Sequence, residues 1–425
     1  MATSADRLQI LRGRVFTGAW TLYAGYYVCR KNIGSTTGPA VSEFATTLAC
    51  FAITYAIGQV VGGILADRGN ARRVALFGAL LSVLCTGLMA WGARPHLALL
   101  LQLGNGFGQG VGWPSLLKLL GCWFRRSERD RVLGWWSSSY ILGGLLATSL
   151  TAWLVVHTGV TSGSGFYPAY LVSSGVLLCA SVFFYRETYD LHSASSLPDE
   201  PACDGAVCTD ASGSWRSILA NRSIWISSGA YFFLKMTRYT LLFWLPHYLI
   251  SSLGYTTRAA EHVASDFELF GFLGPLAVGY AMQRWFRSKH MTLGAGILFG
   301  LAFLCLLHPV LAVDGWFAIS ASIALMGILI YGADILISGM AVLDAVPHAV
   351  HGRATGVVNA IGSIGQTLSP FLVTVFVSHL GWTELFDLFV FFAIVAGIIC
   401  AIGARQAQQT LPLNRSVLEP SKQAF

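Results

Sequence analysis

The chain has 425 residues, 55% of them hydrophobic and only 11% charged, where soluble domains carry roughly a quarter charged residues. With 46 Gly, 26 Phe and a mean hydropathy of +0.62, it cannot build a water-facing surface, which excludes a soluble enzyme, a disordered tail protein and a nucleic-acid binder as first readings. Its net charge of +7 and pI near 9.0 would suggest a polyanion partner in a soluble chain, so the placement of the 27 Lys and Arg decides that point.

Apolar runs separated by short polar breaks predict helices at 15–33, 43–66, 74–92, 97–120, 132–157, 166–185, 223–250, 262–283, 291–311, 316–343, 354–379 and 384–404. Most approach the ~20 residues that cross the hydrocarbon. The first follows the polar start MATSADRLQILRGR and ends at no small-residue cleavage site, so a retained span is expected rather than a signal peptide. The expected class is all-α integral membrane, with twelve transmembrane helices as two six-helix halves. Residues 1–186 would form the N-terminal half, 187–222 a cytoplasmic central linker, 223–404 the C-terminal half and 405–425 a cytoplasmic tail. Within the linker, 187–214 holds six acids and no Lys or Arg, the composition of a flexible connector. Its Cys203 and Cys208 have no further ligands at metal spacing and are expected to be plain thiols.

With the N-terminus inside, twenty of the 27 cations fall in cytoplasmic segments and two, Arg94 and Arg258, on the opposite side. That is the positive-inside asymmetry; it accounts for the basic pI without nucleic acid and expects both termini in the cytoplasm, at the cell (inner) membrane. Five cations remain inside predicted spans: Arg30, Lys31, Lys118, Lys235 and Arg238.

The halves echo one another. GGILADRGNARR after the second span, with Gly63, Asp67, Arg68, Arg72 and Arg73, is matched after the eighth by GYAMQRWFRSK, where Gln283 replaces the acid. Arg131–Gly134 is matched by Arg353–Gly356, and Arg14, Tyr23, Tyr27 and Arg30 recur 208 residues later as Arg222, Tyr231, Lys235 and Arg238. Duplication accounts for these echoes; chance similarity of two Tyr-rich helices is the plainer alternative.

Arg30 and Arg238 each lie 16 residues beyond a flanking arginine, roughly 24 Å along a helix, deep in a core about 30 Å thick. A central Arg costs about 2.5–3.5 kcal/mol, so each needs a partner. Either they pair with Glu268, Asp334 or Asp344 to lock helices together, or they face a shared cavity and grip an oxyanion, for which the planar guanidinium fork is suited. No phosphate loop with a terminal Lys is present, so nucleotide hydrolysis has no support. His247, His348 and His351 stand at no metal spacing and are expected to be solvated.

The G-x-x-x-D-R-x-G…R-R element resembles the signature loop of the major facilitator superfamily. The runs GYYVCRKN (25–32), GVGWPSLLK (110–118), WWSSSYILGG (135–144), MTRYTLLFWLPHYL (236–249), ELFGFLG (268–274) and YGADILISGMAVLDAVP (331–347) resemble, in order, those of its organophosphate:phosphate antiporters. The resemblance covers essentially the whole membrane portion. It implies a substrate site in which Arg30 and Arg238 grip phosphate, joined by Tyr23, Tyr27, Tyr331, Lys118, Glu268 and Trp113, with Trp244 and Pro246 matching a seventh-helix motif. It departs from the glycerol-phosphate type at Gln59, where a lysine is usual, at Tyr140 for a histidine and at Lys235 for a tyrosine. Those departures bear on the organic half of the substrate. The resemblance implies a monomer that exchanges a small anionic organophosphate for inorganic phosphate across the lipid bilayer, with no cofactor, metal or nucleic acid. A proton-coupled porter using a buried carboxylate, a non-transporting sugar-phosphate sensor and, least of all, an intramembrane enzyme are the alternatives.

Overall fold

The computed structural model describes residues 4–30, 41–91, 95–158, 168–188, 215–312, 315–382 and 384–415. The linker from 189 to 214 with Cys203 and Cys208, together with Lys31, Arg94 and the tail from 416, lies outside them.

The first half is built from α1 (Ser4–Arg30), α2 (Val41–Arg68), α3 (Ala71–Met89), α4 (Pro95–Trp123), α5 (Arg126–Thr158) and α6 (Pro168–Glu187). A short α7 (Trp215–Leu219) leads into α8 (Arg222–Leu253), α9 (Thr257–Gly271), α10 (Leu273–Arg284), α11 (His290–Leu311), α12 (Trp316–Ile335), α13 (Ala341–Ala345), α14 (His351–His379) and α15 (Leu385–Arg415). All twelve expected spans are present, with local differences. The eighth is two helices meeting at Phe272, because Pro275 cannot donate back to Gly271. The tenth passes from α12 through a π-helical turn, Leu336–Met340, into α13. The first begins at Ser4 rather than 15, with Leu8 buried in the core, and the last runs on to Arg415 rather than ending at 404.

Side-chain caps set three starts: Asn70 accepts from the backbone N–H of Arg73, Asn221 from that of Ser223 and Thr256 from that of Ala259. Among the described residues, seven helical stretches are long and apolar enough by composition to cross a membrane. The helices α1, α4, α5 and α8 are 27, 29, 33 and 32 residues long and fall outside that set. They carry the polar residues turned inward, among them Gln102, Asn105, Gln109, Ser137, Lys235 and Arg238, all buried.

In the first half α1 packs on α5 and α6, and α4 on α2 and α3; in the second, α8 packs on α14 and α15, and α9 on α12. The halves meet where α2 crosses α14 and α5 crosses α10. Both crossings need glycine. A Cβ on Gly63 would sit 2.2 Å from the Gly352 carbonyl oxygen, and one on Gly134 would sit 2.5 Å from that of Pro275. The echoed segments of the two halves therefore meet each other across the interface.

Candidate functional site: a central cation cluster and a latch

The cation-rich end is closed by two ionic clusters. Asp67, its side chain fully buried, accepts from Lys118 Nζ at 3.0 Å, the Gly352 N–H at 2.9 Å, the Arg353 N–H at 2.8 Å and Arg353 Nε at 3.0 Å. One carboxylate of the first half thus holds the start of α14 in the second. Where the second copy of the signature has Gln283, the anion is supplied instead by Asp344 on α13. It takes Arg126 Nε, Arg129 Nη2 at 3.6 Å and His290 Nδ1 at 3.8 Å, while Asp130 meets His290 Nε2 at 3.1 Å.

Of the signature residues, Gly63 and Asp67 make the contact between halves. Arg72 reaches within its own half to Thr188 Oγ1 at 2.9 Å and lies 4.6 Å over the Tyr185 ring. Arg68 and Arg73 are exposed. Two expectations are corrected here. Lys118 does not stand beside the arginines; its ammonium also donates to the His348 carbonyl at 2.6 Å, so it belongs to this latch. His351 is not solvated but 1% exposed, with Nε2 on the Val346 carbonyl.

Farther along the bundle, α1 and α8 present their echoed faces to each other's half. Arg30 donates from Nε to Gln109 Oε1 at 2.8 Å, and its guanidinium lies 4.2 Å from the Tyr27 ring centroid and 4.7 Å from that of Tyr55. Gln109 is held by a buried ladder: its Nε2 donates to Asn105 Oδ1 at 3.0 Å, which also accepts from Ser82 Oγ at 2.6 Å.

Across the interface, Arg238 Nη1 donates to Asp334 Oδ1 at 2.8 Å. The same carboxylate accepts from Tyr231 at 3.0 Å and Tyr140 at 3.1 Å, and Tyr140 comes from the opposite half. The Arg238 guanidinium lies 4.5 Å from the Tyr331 ring centroid and 5.1 Å from that of Tyr140. Lys235 Nζ donates to Ser363 Oγ at 2.9 Å, and Ser363 donates to Gln59 Oε1 at 3.0 Å. Lys235 shares the Tyr55 ring with Arg30 and the Tyr239 ring with Arg238. The cations are thus separated by aromatic faces, which attract them through the ring quadrupole. Tyr27 lies within electrostatic reach of both arginines.

Four buried donors here have no hydrogen-bond partner among the described residues: Arg30 Nη2, Arg238 Nε, Gln59 Nε2 and Trp113 Nε1. A buried donor left unpaired costs about 1–3 kcal/mol. Several around one cluster suit a ligand rich in acceptor oxygens.

The structure therefore brings Arg30, Arg238, Lys235, Tyr27, Tyr140, Tyr331 and Gln59 together. Tyr23 and Trp113 form the aromatic layer behind them, their rings 5.4 Å apart and both against Trp136. Glu268 is half-buried on α9, its charge felt by Tyr331. Sequence reasoning missed Tyr55, Tyr239, Ser363 and the ladder of Gln102, Asn105 and Gln109. The ladder had a signal, since positions i, i+3 and i+7 share one face of a helix, and so had Tyr239, four residues after Lys235 on the same helix; Tyr55 and Ser363 had none.

The family model of the Major Facilitator Superfamily matches residues 15–333 and 259–422. The chain is 24% identical over 416 residues to the glycerol-3-phosphate transporter of Bacillus subtilis, covering 92% of each. It is 26% identical over 410 residues to the membrane sensor protein UhpC of Salmonella typhimurium, covering 92% of this chain and 90% of that one. With the glucose-6-phosphate exchanger SLC37A2 of Xenopus laevis it shares 24% identity over 479 residues, 94% of this chain and 92% of that one. Among solved structures, the proton:xylose symporter XylE aligns with a TM-score of 0.72 at 13% identity over 96% of each chain. FucP in the outward conformation aligns at 0.67 and 15% identity, over 91% of this chain and 98% of that one. Those two likenesses establish the fold.

Proposed function

The chain belongs to the major facilitator superfamily, and from that premise we propose that it exchanges a small organophosphate for inorganic phosphate by alternating access. One observation carries the reading. Arg30 and Arg238, one from each half, both lie within electrostatic reach of Tyr27, and both keep a buried guanidinium N–H unpaired among the described residues. Two such forks can share the non-bridging oxygens of one phosphoryl group, so the bound anion ties the halves together.

Two of the relatives named above, a glycerol-3-phosphate transporter and a glucose-6-phosphate exchanger, carry phosphate esters in their names, which supports the same chemistry here. Phosphate is the group common to both exchange partners. Lys235, Gln59 and Ser363, strung between the halves, face the variable organic part. In this reading the cation-rich end is cytoplasmic, the two ionic clusters close that side, and the carrier works as a monomer in the cell membrane.

The test is phosphate counterflow in proteoliposomes with a panel of organophosphate competitors. Exchange that is stimulated by internal phosphate and independent of a pH gradient supports the reading; uptake that follows a pH gradient refutes it. The likeness to a membrane sensor protein favours one second reading, in which the same site binds a sugar phosphate without transport. Phosphate binding with no counterflow would establish that instead.

A further inference from the structure

Asp334 is 1% exposed and sits at the end of α12, just before the π-helical turn. Its carboxylate takes Arg238 Nη1, the Tyr231 hydroxyl and the Tyr140 hydroxyl. It therefore occupies part of the guanidinium fork that the phosphoryl group would use. The electrostatic neighbours of Lys235 are Asp334, Arg238 and Arg30, so these four charges act on one region. Lys118 does not join them, being bound to Asp67, and Glu268 stands half-exposed on α9, within electrostatic reach of Tyr331. The cluster holds three cations and one buried anion.

Resting on the phosphate reading above, we propose that Asp334 is the specificity-determining counter-anion of this site: it competes with substrate for Arg238 and sets the negative charge the site accepts. Three cations less one carboxylate leave two positive charges. A phosphate monoester brings about −1.5 to −2 near pH 7, which balances them when its organic body is uncharged. An additional carboxylate on the substrate would have no cation left to meet it and would be repelled by Asp334 in a low-dielectric surrounding. The site thus selects monophosphates of neutral, hydroxyl-bearing bodies over phosphorylated acids. Neutralising Asp334 removes both the competitor and the repulsion.

The experiment is displacement of radiolabelled phosphate from the purified full chain in detergent by glycerol 3-phosphate and by 3-phosphoglycerate, which adds a carboxylate. Wild type should prefer the first by at least tenfold. Asp334→Asn should bind phosphate at least fivefold more tightly and narrow that preference by at least tenfold, whereas Asp334→Glu, which keeps the charge, should retain the wild-type ranking. A role confined to bracing helices would weaken phosphate binding in Asp334→Asn and leave the ranking unchanged, and that result overturns the proposal. Equal displacement of wild type by the two competitors overturns it as well, whatever the stability of the variants. Wild type that fails to bind phosphate refutes the parent reading and this one with it; wild type that binds phosphate with an unaltered ranking in Asp334→Asn refutes this one alone.

Discussion

Replacing Asp67 by Asn tests whether the signature element is a latch between halves or part of the substrate site. In the structure its two oxygens accept four hydrogen bonds, two of them from backbone N–H groups at the start of α14 and two from the cations Lys118 and Arg353. Breaking a buried ion pair by removing one partner costs about 3–5 kcal/mol. Asn keeps one carbonyl acceptor and the same volume, so the lower end applies, about 3 kcal/mol. At about 1.4 kcal/mol per tenfold, that moves the balance between the latched state and the state with this end open by roughly 10²-fold. Every exchange cycle must pass through the latched state, so turnover in proteoliposomes should fall by at least tenfold. Phosphate binding to the purified protein should change by less than about threefold, because Asp67 touches none of the residues around Arg30 and Arg238. Exchange rate and binding isotherm measured on the same preparation decide the matter. Normal turnover with a large loss of affinity would show that the latch argument is wrong.

Arg30→Lys and Arg238→Lys should each lower phosphate exchange by at least tenfold with expression intact, since an ammonium lacks the planar fork; near-normal exchange in either would refute the two-arginine clamp. Lys235→Tyr should keep phosphate:phosphate exchange while reordering the organophosphate competitors, and its loss of homologous exchange would place Lys235 in the phosphate grip instead. Gly63→Ala drives a methyl group against the Gly352 carbonyl oxygen at 2.2 Å, which overpacking values put at about 1–3 kcal/mol against the latched state. It should slow exchange as Asp67→Asn does, and wild-type turnover would mean that the crossing of α2 and α14 opens more freely than its geometry implies. Gln109→Leu removes the acceptor that orients Arg30 and should weaken phosphate binding several-fold in an equilibrium assay, with unchanged affinity counting against the ladder as a support.

The amino-acid sequence by itself determined the class and the repeat. Composition excluded a soluble surface, span length followed from the thickness of the hydrocarbon, and cation placement marked one face of the bundle. The 208-residue echo placed Arg30 and Arg238 at equal depth, because helix periodicity converts spacing directly into height and facing. The same local regularity could not say which helix lies opposite. Whether Arg238 met Glu268, Asp334 or Asp344 was open in the sequence, and packing of α8 against α12 decided for Asp334. Lys118 read as a site residue from its motif, yet its ammonium donates to Asp67 and the His348 carbonyl at the closed end. Tyr55 and Ser363 reach the cations from two other helices, α2 and α14, and no spacing along the chain encodes such a meeting. Local pattern depends on neighbours three or four residues apart. The site depends on helix crossings that only glycine contacts and ion pairs between distant segments fix, and those exist only in the folded bundle.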